Sequence, residues 1–328
     1  MEQLTPLELG SSTGAMMNNV GKVKNTGVEI SLSTVNVQTK NFYWSTTFSF
    51  AKNKNEILEL NGGKEDLIAN KWFIGQPIDV IYDYEYAGVC TAEEAKAYAT
   101  NDAIKTKFIE GEMKLKDQQQ PGEEGYGVID ENDLVVLGHA LPKWTGSVTS
   151  NMTYKNFDFS FSIYTKQGGM VESPFMAEFT NYKDRGRNKL KMDYYIPAGT
   201  PVLNADGSGY TLTTEAHMGA YPYPTNTANN NYGGGIGWGT DKQTTYVGNS
   251  YVNNSFVKIK NITLGYTFPK SWMSKIGVDH LRLYVNVLNP FTFTSYKGFD
   301  PEWAEAALND GTGGPSSRTY QVGVNLKF

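Results

Sequence analysis

The sequence has one cysteine and three histidines in 328 residues. Cys90 has no partner for an internal disulfide, and no CxxC spacing exists. His139, His217 and His280 fall in separate segments, none beside a nucleophile motif. GxSxG, HExxH and phosphate-binding glycine loops are all missing, so an enzyme is not expected. Positive charge is scarce as well. The net charge of −5 leaves no basic surface for nucleic acid. No apolar run approaches the ~18 residues of a transmembrane helix. The opening MEQLTPLELG lacks the basic start and apolar core of a signal peptide. Such a start fits a cytoplasmic protein, or a piece whose targeting signal lies elsewhere.

Aromatics and glycine are abundant: Tyr 21, Phe 16, Trp 6 and Gly 34. Mean hydropathy is nevertheless −0.44. A chain that is polar on average yet rich in aromatics fits a soluble β-sandwich. It fits equally a transmembrane β-barrel, with a polar lumen and aromatic girdles. Period-two alternation marks seven strands. They run over about Val28–Val37, Phe42–Asn53, Gly146–Tyr154, Phe157–Ile163, Phe256–Phe268, Leu281–Phe293 and the terminal TYQVGVNLKF. In the fifth, the alternation switches phase near Asn261, as a β-bulge would make it do.

The gaps between strands carry more information. Strands one and two are joined by a tight turn around QTKN, and three and four turn at Lys155 and Asn156. Pro269 to His280 joins five and six. The remaining gaps, about 54–145, 165–255 and 294–318, are long. Short and long gaps alternate strictly, which places all short connections at one end of an up-and-down sheet. Outer-membrane barrels have this layout, whereas sandwiches mix loop lengths and use Greek-key crossings. The expected fold class is therefore all-β, a transmembrane antiparallel up-and-down barrel. Single-chain barrels have even strand numbers. Seven strands then imply the C-terminal part of a larger barrel.

Several stretches resemble the SusC/RagA family of TonB-dependent outer-membrane transporters of Bacteroidetes. They are NVGKVKNTGVEISL with WSTTFSFAKNKNEI, then PKWTGSVTSNMTYKNFDFSF, NSFVKIKNITLGYTFP, LRLYVNVLNPFTFTSYKGFDPE and the terminal TYQVGVNLKF. They occur in family order and extend over nearly the whole chain. The resemblance implies a barrel of about 22 strands whose plug domain and first strands are absent from residues 1–328. It implies an importer of oligosaccharides or peptides in the outer membrane, with a SusD-like surface lipoprotein as lid. It also implies energy from TonB, through an N-terminal region not in this sequence. The terminal strand, through Tyr320, Leu326 and Phe328, is similar to the signal read by the barrel-assembly machinery. The alternative is a secreted glycan-binding β-sandwich module.

YPYPTNTANNNYGGGIGWG sets aromatics among Asn and Gly in the second long loop. Aromatic faces stack on sugars and amides bond their hydroxyls, so Tyr221, Tyr223, Tyr232 and Trp238 are candidate substrate contacts. Loop packing is the competing role for each. VIDENDLVVLG looks like the tail of an acidic, calcium-style loop, but the preceding QQQPGEEGYG lacks alternating Asp and Asn. Asp130 and Asp133, with Glu123 and Glu124 nearby, are not expected to hold a metal. NADGSG reads as a hairpin turn. Thr91 and Glu94 have capping-box spacing before a helical stretch, and IYDYEYAG reads as a further β segment, projecting or pairing locally.

Overall fold

The computed structural model describes residues 2–4, 15–17, 21–173, 193–222, 251–304 and 316–328. Two short strands, β1 (Glu2–Leu4) and β2 (Ala15–Met17), pair with each other. The long strands β3 (Gly21–Gln38) and β4 (Phe42–Leu60) follow. The first long connection holds β5 (Val80–Tyr84), β6 (Tyr86–Val89), helix α1 (Ala92–Thr100), β7 (Met113–Leu115) and β8 (Leu134–His139). Next come β9 (Trp144–Tyr154) and β10 (Phe157–Gln167). The second connection holds β11 (Met170–Glu172), β12 (Pro201–Leu203), β13 (Tyr210–Leu212) and β14 (Tyr251–Asn253). Then follow β15 (Phe256–Thr267), helix α2 (Lys270–Met273), β16 (His280–Thr294) and β17 (Thr319–Lys327).

The seven long strands form one antiparallel sheet in the order β17-β16-β15-β10-β9-β4-β3. Each strand lies beside its sequence neighbour, so the sheet is a plain meander. The expected up-and-down topology is correct. The sandwich alternative is not favoured, because every other sheet among the described residues has only two strands. The two tight turns are where the sequence puts them. Phe42 N–H donates to Thr39 Oγ1 at 3.0 Å in the first. In the second, Lys155 adopts φ 53°.

The register gathers the apolar residues onto one face. Leu32, Phe48, Val148, Ile163, Ile259 and Phe291 make one row across six strands. On the last strand Tyr320, Val322, Val324 and Leu326 oppose Val287, Val285, Leu283 and Leu281. The predicted phase switch is a real bulge. Ile163 pairs with Ile259 and Ser162 with Asn261, which leaves Lys260 over. The extra residue keeps Val257 and Ile259 on the same face as Ile262 and Leu264.

This apolar face is bare. Val28 is 57% exposed, Leu264 52% and Val322 81%. The buried apolar clusters lie in the long connections instead. One is Cys90, Phe108, Met113 and Leu115; the other is Val171, Tyr296 and Ala304. A sheet in water buries its apolar side; this one leaves it open. Aromatic residues bound the face at both ends. Tyr154, Phe157 and Tyr266 lie at the short-turn end, with the last two rings 4.7 Å apart. Phe50 and Trp144, 5.9 Å apart, lie at the long-loop end. The strand from Trp144 to Tyr154 has 11 residues. That is ~33 Å along the strand, or roughly 25 Å of height at a barrel tilt of about 40°, the height of a lipid-facing band.

One strip of this face is polar. Asn36 Nδ2 donates to Thr46 Oγ1 at 2.7 Å, Thr34 Oγ1 donates to Asn36 at 2.8 Å, and Trp44 Nε1 donates to Ser150 Oγ at 2.9 Å. The groups satisfy one another, as an apolar surrounding demands.

Two boundaries differ from the sequence reading. β3 begins at Gly21 rather than Val28, and β4 runs to Leu60 rather than Asn53. Lys22–Thr26 and Lys52–Glu56 continue the pairing but carry charges on the face that is apolar lower down. The alternation therefore fades while the strands go on.

Candidate functional site

The opposite face of the sheet is a wall of small polar side chains. Ser33 and Thr47 hydroxyls lie 3.1 Å apart, and Thr149 and Ser162 hydroxyls 3.3 Å apart. Thr263 Oγ1 donates to Asn286 at 3.0 Å, and Asn286 Nδ2 passes the chain on to Gln321 at 2.9 Å. Arg282 grips Asp158 with two bonds, at 2.8 and 2.5 Å, over Gly265. A Cβ on Gly265 would overlap both partners, and one on Gly323 would overlap the Tyr284 ring. Glycine at these two points is what lets long side chains lie flat across the sheet.

At the long-loop end, the connection after β16 folds onto this polar face. Lys258, 1% exposed, donates to both oxygens of Asp300 at 3.1 and 2.9 Å, to Glu302, and to Ser316 Oγ at 3.3 Å. Lys260, the bulge residue, holds the other Glu302 oxygen at 2.6 Å. Burial works to raise the Asp300 and Glu302 carboxyls, but hydrogen bonds outweigh it and hold both below the ordinary range, from Lys258, the Glu302 N–H and Ser316 at Asp300 and from Lys258 and Lys260 at Glu302. Tyr296, 7% exposed, meets the Ser173 hydroxyl at 3.0 Å. The segment is thus pinned to β15 by charge and to the second connection by a buried tyrosine.

The first connection is a folded unit. Thr91 and Glu94 form the expected capping box on α1. IYDYEYAG divides into β5 and β6, which pair locally with β8 and β7. Burial pushes the Cys90 thiol up to about 11, so it is an inert core residue rather than a nucleophile. Asp133, fully buried, accepts from the backbone N–H of Gln118 at 2.7 Å and of Asp130 at 2.9 Å. Asp130 caps the following turn through Asn132 N–H at 2.8 Å. Among the described residues, no three His, Cys, Asp or Glu side chains converge for a metal. NADGSG is a hairpin turn between β12 and β13.

Of the candidate substrate contacts, Tyr221 lies within the described residues; Tyr223, Tyr232 and Trp238 lie outside them. Tyr221 is half-buried beside Tyr194, ring centroids 6.1 Å apart, and packs on the Val171–Tyr296–Ala304 cluster. Burial raises its phenol above the usual value. Nearby, Tyr86 Oη donates to the Ala220 carbonyl at 2.8 Å and Tyr195 donates to Glu110, which tie the second connection to the first. Tyr320 and Phe328 are 70% and 82% exposed on the apolar side. The sequence reading missed the Lys258 cluster. Its partners are 42 and 44 residues away, and nothing local marks them.

No family model matches the chain. TonB-dependent receptor P3 of Formosa agariphila is 29% identical over 98% of this chain and 30% of that receptor. TonB-dependent receptor SusC of Bacteroides thetaiotaomicron is 27% identical over 98% of this chain and 28% of that receptor. This chain is similar to TonB-dependent receptors, SusC among them. It spans under a third of the length of these two receptors. The solved RagAB peptide transporter shares the fold, with a TM-score of 0.64 and 21% identity over 99% of this chain and 31% of that one. The RagAB peptide importer in its closed-closed state gives 0.61, at 21% identity over 99% and 31%. The receptor likeness thus covers the whole meander together with its folded connections.

Proposed function

We propose that the chain is the C-terminal part of the barrel wall of an outer-membrane, TonB-dependent importer of oligosaccharides or peptides. The observation that carries this reading is the bare apolar face, about as tall as a lipid-facing band and bounded by aromatics at both ends. The receptor relatives and the RagAB fold support it. The polar face lines the lumen, and the connections 61–143, 168–255 and 295–318 form the vestibule on the outer side. A SusD-like lipoprotein closes that vestibule. TonB engages a region outside this sequence. Tyr221, Tyr223, Tyr232 and Trp238 contact the substrate from the second connection. Tyr320, Leu326 and Phe328 present the terminal strand to the barrel-assembly machinery. The chain carries no catalytic step in this reading; it forms a wall and a mouth.

The test is a gel of the outer-membrane fraction, boiled and unboiled. A band carrying this sequence, larger than 36.4 kDa when boiled and shifted when unboiled, is expected. A soluble, unshifted band at 36.4 kDa would overturn the reading.

A further inference from the structure

The apolar face changes character in a single step at its long-loop end. Along β4 the outward positions run Phe48, Phe50, Lys52, Lys54 and Glu56; along β3 they run Leu32, Ile30, Val28, Thr26 and Lys24. The register sets Val28 opposite Lys52, Thr26 opposite Lys54 and Lys24 opposite Glu56. Lys52 lies one step beyond the Ala51–Thr145 pair, which puts it beside Trp144 at the aromatic boundary. All three lysines are exposed. Glu56 holds Lys54 at 3.0 Å. Among the described residues, no carboxylate lies within ion-pair distance of Lys24 or Lys52. Glu29, the nearest other acid along β3, points to the polar face with Ser31. With the Lys22–Glu59 pair one step further out, four ammonium groups face outward against two carboxylates, above a belt that water should not wet.

We propose that Lys24, Lys52 and Lys54 bind the phosphate-bearing headgroup of an outer-leaflet lipid. The inference rests on the reading of the apolar face as membrane-facing. At that depth, lysine stems lie along the apolar belt and their ammonium groups meet the headgroup layer. Lys52 and Lys54 are two positions apart on one face, ~7 Å, and Lys24 is diagonal to Lys54 on the paired strand. Flexible stems let three such ammonium groups converge on one phosphate. A free phosphate ion offers the same charge but no acyl chains for Val28, Ile30, Phe48 and Trp144. Continuity with that belt is what favours the lipid.

Trp144 reports on the site directly. The full-length receptor is reconstituted in phosphatidylcholine nanodiscs carrying brominated phosphatidylcholine or brominated phosphatidylglycerol. The Trp144 signal is taken as the difference between the natural protein and Trp144→Phe. The anionic lipid is expected to quench Trp144 at least about fivefold more effectively than the neutral one. The preference is expected to vanish in the triple variant Lys24→Gln, Lys52→Gln, Lys54→Gln, and to survive when all three are Arg. Equal quenching by both lipids, or a preference that persists in the Gln variant, overturns the proposal. Loss of the preference in millimolar inorganic phosphate at constant ionic strength also overturns it, in favour of a free-anion site. If neither lipid quenches Trp144, the membrane reading itself fails. The natural protein and Trp144→Phe supply the lipid comparison, so the proposal stays testable if a lysine variant does not fold.

Discussion

At the residue scale, neighbours in sequence meet opposite solvents. Phe48 lies on the apolar face, 40% exposed, and Thr47 on the polar face against Ser33. Phe48→Arg puts a charge near the middle of the apolar band and should cost about 2–4 kcal/mol. Thr47→Arg should cost far less. Urea unfolding of the reconstituted receptor, followed by gel mobility, measures both. Lys258 makes a second case. Lys258→Ala leaves the buried Asp300 carboxylate without its cation, a loss of about 3–5 kcal/mol. The pH response then shifts in a readable way. In the natural protein Asp300 and Glu302 titrate below the ordinary carboxylate range. Their contribution is complete above pH ~4–4.5 and is lost as pH falls through the lower folded values. Pepsin should therefore cut the connection after β16 only in strong acid. In Lys258→Ala the main counterweight to burial is gone, and cutting should begin at higher pH.

At the element scale, β15 depends on its bulge. Lys260 is the spare residue that keeps Ile259 and Ile262 on one face. Its deletion should turn Phe256 and Lys258 outward and Val257 inward, because a one-residue slip exchanges the faces of a strand. A cysteine at position 257 would show this by gaining reactivity toward a water-soluble reagent applied to the lumen. The bulge was legible from the phase change at Asn261, as were all seven long strands, since each has one apolar side. The upper ends of β3 and β4 were not. Above the aromatic boundary, Lys52 and Lys54 stand on the formerly apolar face, and pairing continues without alternation. The folded unit of the first connection was half legible. Thr91 and Glu94 announced their helix, but the pairing of β6 with β7 spans residues with no shared pattern. At the candidate site, the aromatic composition drew the eye to Tyr221. The ionic anchor at Lys258 is a pairing of distant residues, and no local period records it.

At the scale of the whole molecule, the meander has two open edges, β3 with 18 residues and β17 with nine. Unpaired edges of that length template further pairing. The apolar face adds a second adhesive surface. Residues 1–328 produced alone in water should therefore run as high-mass aggregate on size exclusion. A discrete soluble monomer would contradict the wall reading. The alternation of connections then gives the molecule its polarity. Tight turns gather at one rim, and nearly all the folded mass outside the sheet gathers at the other.

The burial of Lys258 also decides what a surface reagent would report. Lys52 and Lys54 are open to solvent, whereas Lys258, at a similar level of the wall but on its other side, is 1% exposed. An amine-reactive ester applied to the detergent-purified, delipidated protein should tag the first two and leave the third unmodified. Lys258 would become the silent amine in the peptide map until the connection above it is cut. A single mass-spectrometric signal would then follow the state of the mouth without any ligand in hand.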